Sequence, residues 1–140
     1  MSPTDKNETA LRTILVIEDQ SELRGLVTAT LEQAGYHVVT ATTGRDANKA
    51  FAEAKIDLVL TDLLMPDRDG IEVIRDLRGS RPDLPIVAMS GGGRMPAAFY
   101  LKLARSLGAK AILEKPFSNQ QLLLTIALAL PEAGHSGKAR

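Results

Sequence analysis

Ile14-Leu15-Val16-Ile17 runs without a break into Glu18-Asp19, and Leu58-Val59-Leu60 runs through Thr61 into Asp62. Each run is short, continuous and rich in branched side chains. A surface helix would space its apolar residues three and four apart, and a half-exposed strand would alternate. A continuous short run fits a strand buried on both faces, as in a parallel sheet. Both runs end in carboxylates, so acid stands at the end of two strands.

Outward from these runs the chain alternates in kind. Leu23, Leu26, Val27, Ala29, Thr30 and Leu31 recur at helical spacing, with Ser21 as the expected cap and Gly35 as the stop. His37-Val38-Val39-Thr40 reads as the second strand. Residues 45–54 form a helix with Ala47, Ala50, Phe51 and Ala54 on one side. Residues 71–77 form the third helix, ended by Gly79 and Pro82. Ile86-Val87-Ala88-Met89 is the fourth strand. Pro96 suits the first turn of a helix that reaches Leu107 before Gly108. Ala111-Ile112-Leu113 is the fifth strand, and Ser118 caps a last helix to Leu130.

Five strand–helix units in alternation predict an α/β fold, a doubly wound five-stranded parallel sheet with helices on both faces. Crossovers are right-handed in such sheets. A ligand then sits beyond the carboxyl ends of the strands, at a switch in strand order. Residues 11–130 are the expected domain, with a flexible arm over residues 1–10 and a flexible tail over residues 131–140.

Composition narrows the function classes. The chain has 140 residues, within the size of one domain. It has no Cys, which excludes disulfides and thiolate metal sites, and two His alone argue against zinc. Its 17 basic and 17 acidic residues cancel, which argues against direct contact with nucleic acid. No apolar run approaches the ~18 residues of a membrane span. The first residues are polar and lack a signal core, so the cytoplasm is the expected compartment.

The strand ends carry the chemistry. Glu18 and Asp19 follow the first strand, Asp62 the third, Ser90 the fourth, Glu114 and Lys115 the fifth. A parallel sheet brings these to one edge. Close carboxylates repel one another, and a hard divalent cation such as Mg²⁺ relieves that repulsion. An ionised Asp is a competent nucleophile toward phosphorus. Phosphoryl transfer asks the protein mainly for positioning and charge neutralisation, which Mg²⁺, Lys115 and Ser90 would supply.

These residues resemble the receiver domain of bacterial two-component response regulators. The resemblance rests on Glu18-Asp19, on Asp62-Leu63-Leu64-Met65-Pro66-Asp67-Arg68-Asp69-Gly70, on Ser90 and on Lys115-Pro116-Phe117. It spans residues 11–130 in order and spacing. It implies a flavodoxin-like fold with strand order 2-1-3-4-5. It implies that Asp62 accepts a phosphoryl group from a histidine kinase or histidine phosphotransfer protein. Glu18, Asp19, Asp62 and the backbone carbonyl of Leu64 would hold Mg²⁺, while Ser90 and Lys115 contact phosphoryl oxygens. It also implies a cis Lys115-Pro116 bond that turns Lys115 inward.

Plainer readings stand beside these. Glu18-Asp19 also fits a solvated turn and helix start, and Asp62 a loop position. Pro66 and Gly70 shape a turn, Met65 packs, and Ser90 alone is an ordinary loop residue. Gly91-Gly92-Gly93-Arg94 lacks the Lys-Ser/Thr ending of a P-loop and reads as a flexible loop. His37 reads as structural or exposed, and His135 has no assigned role.

The chain departs from the family pattern at three points. Glu18 stands where Asp is commoner and reaches one methylene further. Ser90 lacks the methyl of Thr. Ile112 stands where the family usually carries a ring that rotates on phosphorylation, so the Ser90 loop is expected to carry most of the change, helped by its glycines. Leu64 would shield an acyl phosphate from water and Gly92 would leave it open.

The fourth and fifth helices are more apolar than a sheet-covering stripe requires. The surplus predicts a protein target or a homodimer on the face of helix four, strand five and helix five. A stand-alone receiver acting through protein contacts is expected. It catalyses its own phosphorylation and slow dephosphorylation without being a turnover enzyme. The alternative is a receiver-like module that binds a protein without phosphorylation. A phosphatase with an Asp nucleophile ranks lower, because residue 64 is Leu rather than a second Asp. A flavin protein would place phosphate against acid.

Overall fold

In the computed structural model the strands are Thr13–Ile17 (β1), His37–Ala41 (β2), Leu58–Asp62 (β3), Ile86–Ser90 (β4) and Ala111–Glu114 (β5). They alternate with helices Ser21–Gln33 (α1), Gly44–Glu53 (α2), Gly70–Ser80 (α3), Ala97–Ser106 (α4) and Asn119–Ala129 (α5). The structure describes residues 11–63, 70–91 and 96–131. The expected arm over residues 1–10, the tail beyond Pro131, the Leu64 carbonyl and the Gly92-Gly93-Arg94 run lie outside them.

All strand pairs are parallel, and the order is β2-β1-β3-β4-β5. The architecture is flavodoxin-like α/β. The chain leaves β1 for β2 on one side and then crosses to β3 on the other. The strand order therefore reverses at β1 and β3, where a crevice opens beyond their carboxyl ends.

The continuous apolar runs are explained by two core layers. Leu15, Ile17, Val59, Ile86 and Ala88 face Ala47 of α2, Val73, Ile74 and Leu77 of α3 and Ala104 of α4. Ile14, Val16, Leu58, Leu60, Val87 and Met89 face Val27 and Leu31 of α1 and Leu122, Ile126 and Ala129 of α5. Adjacent residues of one strand thus serve opposite layers. Every side chain of Ile14 through Ile17 is fully buried.

Element ends follow local chemistry. Gly35 and Gly108 take φ of 101° and 85°, the left-handed geometry that closes α1 and α4. Ser118 caps α5 as expected: its side chain accepts the Gln121 N–H, and the Gln121 side chain accepts the Ser118 N–H. Two boundary expectations are corrected. The first turn of α1 closes on the Gln20 carbonyl, which accepts the Arg24 N–H (2.9 Å), so Ser21 is already helical and caps nothing. Gly79 lies inside the last turn of α3, which continues to Ser80. Among the described residues no helix is long and apolar enough to cross a membrane.

Candidate functional site

Because β1 and β3 are neighbours, their ends set Glu18, Asp19 and Asp62 side by side. One carboxylate oxygen from each lies within 4.8 Å of the others. Backbone bonds hold this edge in place. The Glu18 N–H donates to the Ala41 carbonyl (3.0 Å), carrying the β1–β2 ladder one step past Ile17. The Leu63 N–H donates to the Met89 carbonyl (3.1 Å), doing the same beyond Asp62. The Thr61 hydroxyl donates to the Asp62 carbonyl (3.0 Å).

The end of β5 delivers the cation. The Lys115 N–H donates to the Ser90 carbonyl (2.7 Å), and its Nζ donates to Glu18 Oε1 (3.1 Å) and Asp62 Oδ2 (3.2 Å). The Lys115-Pro116 bond is cis. Ser90 is buried at the end of β4, one position past Met89, the register partner of Asp62. The structure therefore gathers Glu18, Asp19, Asp62 and Lys115 at one edge, with Ser90 on the adjacent strand end. Glu114 is exposed and stands outside the cluster.

Burial and charge oppose each other here. Glu18 has no exposed surface, and burial raises its carboxyl above the usual range; the negative Asp62 adds to the rise, while the Gln20 N–H and Lys115 reduce it. Burial alone would lower the Lys115 ammonium, but Asp62 and Glu18 together outweigh it and its net shift is upward. Lys115 is thus a held cation facing a carboxylate cluster.

Two contributors escaped the sequence reading. Arg24, one turn into α1, donates through Nη1 to the Glu18 carbonyl (3.0 Å) and more weakly to that of Asp19 (3.4 Å). A cation just beyond an acidic pair was its signal. Gly91 lies against Lys115, and nothing in its sequence context announces that contact.

Chemically, the site offers hard oxygen ligands, an Asp nucleophile and a cation for anionic oxygens. Residues 14–127 match the response regulator receiver domain family. The chain belongs to that family. Among relatives, this receiver domain is 35% identical over 109 residues to the alkaline phosphatase synthesis transcriptional regulatory protein PhoP of Bacillus subtilis, covering 78% of this chain and 44% of PhoP. It is 35% identical over 117 residues to the C4-dicarboxylate transport transcriptional regulatory protein DctD of Pseudomonas aeruginosa, covering 84% of this chain and 25% of DctD. The chain thus spans less than half the length of either relative. Among solved structures it resembles the chemotaxis protein CheY4 of Vibrio cholerae, with a TM-score of 0.79 at 30% identity, covering 86% of this chain and all of that one. The receiver domain is a two-component signalling module rather than a conventional enzyme.

The receiver's apolar surplus lies on the surface. Leu124 and Leu128 of α5 and Phe99 of α4 are exposed by 61%, 75% and 44%. Ile112, Leu124, Lys115 and Pro116 help line a groove of about 430 Å³. Ile112 also packs on the core layer that contains Ala88 and Ala104.

Proposed function

We propose that this receiver domain is a phosphorylation-dependent switch that takes a phosphoryl group on Asp62 from a histidine kinase or histidine phosphotransfer protein. The observation that carries the reading is the Asp62 carboxylate, clustered with Glu18 and Asp19 and 3.2 Å from Lys115 Nζ. In the proposed step an Asp62 oxygen attacks phosphorus in line. An O–P bond forms as the donor's P–N bond breaks, and the departing imidazole keeps the electron pair and takes a proton from solvent. Lys115 turns its ammonium from the carboxylates to a phosphoryl oxygen, and the Ser90 hydroxyl donates to another. Hydrolysis of the acyl phosphate restores Asp62.

The three clustered carboxylates fit Mg²⁺, which favours hard oxygen ligands and would relieve their mutual repulsion. Glu18, Asp19 and Asp62 would hold it, with the Leu64 carbonyl as the family pattern implies. Bound there, the ion supplies charge neutralisation for the phosphoryl oxygens.

The output is proposed to pass by protein contact, to a target or a second copy, through the face carrying Phe99, Leu124 and Leu128. The cytoplasm is the proposed compartment. Ile112 favours a second reading, a module that binds its partner without phosphorylation, because it offers no ring to rotate.

Intact mass after incubation with acetyl phosphate separates the two. The switch predicts a gain of one phosphoryl group that requires both Mg²⁺ and Asp62 and is absent from Asp62→Asn. No gain in the presence of bound Mg²⁺ would favour the phosphorylation-independent module.

A further inference from the structure

Two of the three clustered acids stand on a turn between a strand and a helix, where neither element holds the backbone. Among the described residues, the β1–β2 ladder makes its last bond at the Glu18 N–H, on the Ala41 carbonyl (3.0 Å). Helix α1 makes its first at the Gln20 carbonyl, which accepts the Arg24 N–H (2.9 Å). The Glu18 and Asp19 carbonyls fall between these two bonds. Arg24 takes both with one nitrogen: its Nη1 donates to the Glu18 carbonyl (3.0 Å) and, at a longer 3.4 Å, to that of Asp19. Three successive carbonyls, Glu18, Asp19 and Gln20, are thus held by one residue, two by its side chain and the third by its own N–H.

We propose that Arg24 is a positioning residue for the metal site: by holding the carbonyls of the β1–α1 turn it fixes the direction in which Glu18 and Asp19 present their carboxylates to a cation. A guanidinium has donors only and cannot itself be a ligand. Arg24 acts through the peptide planes on either side of Asp19, and those planes set where the Asp19 side chain leaves the backbone. The Glu18 carboxylate has a further hold from the same turn, the Gln20 N–H on Oε2 (3.1 Å). Groups that orient ligands without touching the metal are commonly worth ten-fold or more in affinity. As a nearby positive charge, Arg24 would do the opposite and weaken cation binding. Positioning and charge therefore predict effects of opposite sign.

This inference rests on the reading of Glu18, Asp19 and Asp62 as a Mg²⁺ site. The test is Arg24→Met, which keeps an unbranched stem and removes the donors, and Arg24→Lys, which keeps the charge without the planar fork. Calorimetry with Mg²⁺ and with Ca²⁺ gives two dissociation constants for each protein. Arg24→Met is expected to weaken Mg²⁺ about ten-fold. Ca²⁺ should weaken less, because it tolerates irregular oxygen ligands where Mg²⁺ demands near-octahedral geometry. The preference for Mg²⁺ over Ca²⁺ therefore falls, which a general loss of stability would not produce. Arg24→Lys should lie between Arg24→Met and wild type. In an Asp19→Asn background, Arg24→Met should change the remaining Mg²⁺ affinity less than about two-fold. Mg²⁺ affinity that is unchanged or tighter in Arg24→Met, or an equal loss for both ions, would overturn the proposal. If Arg24→Met does not fold, Arg24→Lys decides alone, and an undiminished Mg²⁺ preference overturns it. If the unsubstituted protein binds no Mg²⁺, or binds it equally after Asp19→Asn, the metal reading fails. The carbonyl ¹³C NMR shifts of Glu18 and Asp19 then decide the positioning role: it stands if they move in Arg24→Met and falls if they do not.

Discussion

A carboxylate with no exposed surface is costly unless its oxygens are bonded. Glu18 meets that condition with one oxygen on the Gln20 N–H (3.1 Å) and the other on Lys115 Nζ (3.1 Å). Burial still raises its carboxyl above the ordinary 4.5. The folded protein therefore binds this proton more tightly than the unfolded chain. The resulting stability is fully present below the unfolded value and is lost as pH rises through the folded one. Urea unfolding without divalent ions, between the ordinary value of 4.5 and neutrality, is expected to show wild type losing more stability on raising pH than Glu18→Gln. Equal slopes would mean that Glu18 titrates as a solvated acid. The sequence exposed this residue because a buried strand ran straight into it. It hid the bonding of the two oxygens, since Lys115 follows a distant strand and Gln20 contributes only its backbone. The contact of Gly91 stayed hidden for the same reason: its neighbour, Lys115, follows another strand.

The helices and strands were legible because their signals are local. Periodicity, the glycines after α1 and α4 and the Ser118-to-Gln121 spacing lie within a few residues of the feature they specify. Ser118→Ala is expected to lower stability by about 1 kcal/mol, the usual cost of losing a helix cap, and to leave phosphorylation by acetyl phosphate intact. The joints between elements were less visible. Arg78 donates to the Pro82 carbonyl (2.7 Å), the Leu84 carbonyl (2.8 Å) and the Gly108 carbonyl (2.7 Å). One guanidinium thus ties the end of α3 to the approach to β4 and to the turn after α4. Two of these bonds are exposed, so water can replace part of what is lost. Arg78→Ala is expected to cost about 1–2 kcal/mol, read as a lower urea midpoint with an unchanged denaturant slope. Arg78→Lys should recover only part of it, because an ammonium cannot span three carbonyls with the guanidinium's planar set of donors. A neutral effect would make the joint dispensable. No local pattern marks Arg78, since its acceptors lie in two segments, the approach to β4 and the turn after α4, that only the fold brings together.

Strand order is the feature local patterns cannot supply. Alternation implies a parallel sheet, but several orders satisfy it, and 2-1-3-4-5 entered through the resemblance carried by the strand-end residues. That order matters chemically. It makes β1 and β3 neighbours, and only then do acids from two segments far apart in sequence share one crevice. An unfolded chain has no such cluster, so a cation held by Glu18, Asp19 and Asp62 binds the folded state and stabilises it. At Mg²⁺ about 100-fold above its dissociation constant, the gain is expected to be about 2.7 kcal/mol. Without Mg²⁺, Asp62→Asn removes one of three repelling charges but also a partner of Lys115, so those effects oppose and the metal-free midpoint is a poor discriminator. The Mg²⁺-dependent increment is a good one. It should shrink sharply in Asp19→Asn and in Asp62→Asn alike, because either change removes one charged ligand from the same site. It should survive in Leu124→Ala, which alters the exposed α5 face and touches none of the three acids. An increment that persisted through both acid substitutions would place the cation elsewhere and detach the metal from the crevice that the strand order creates.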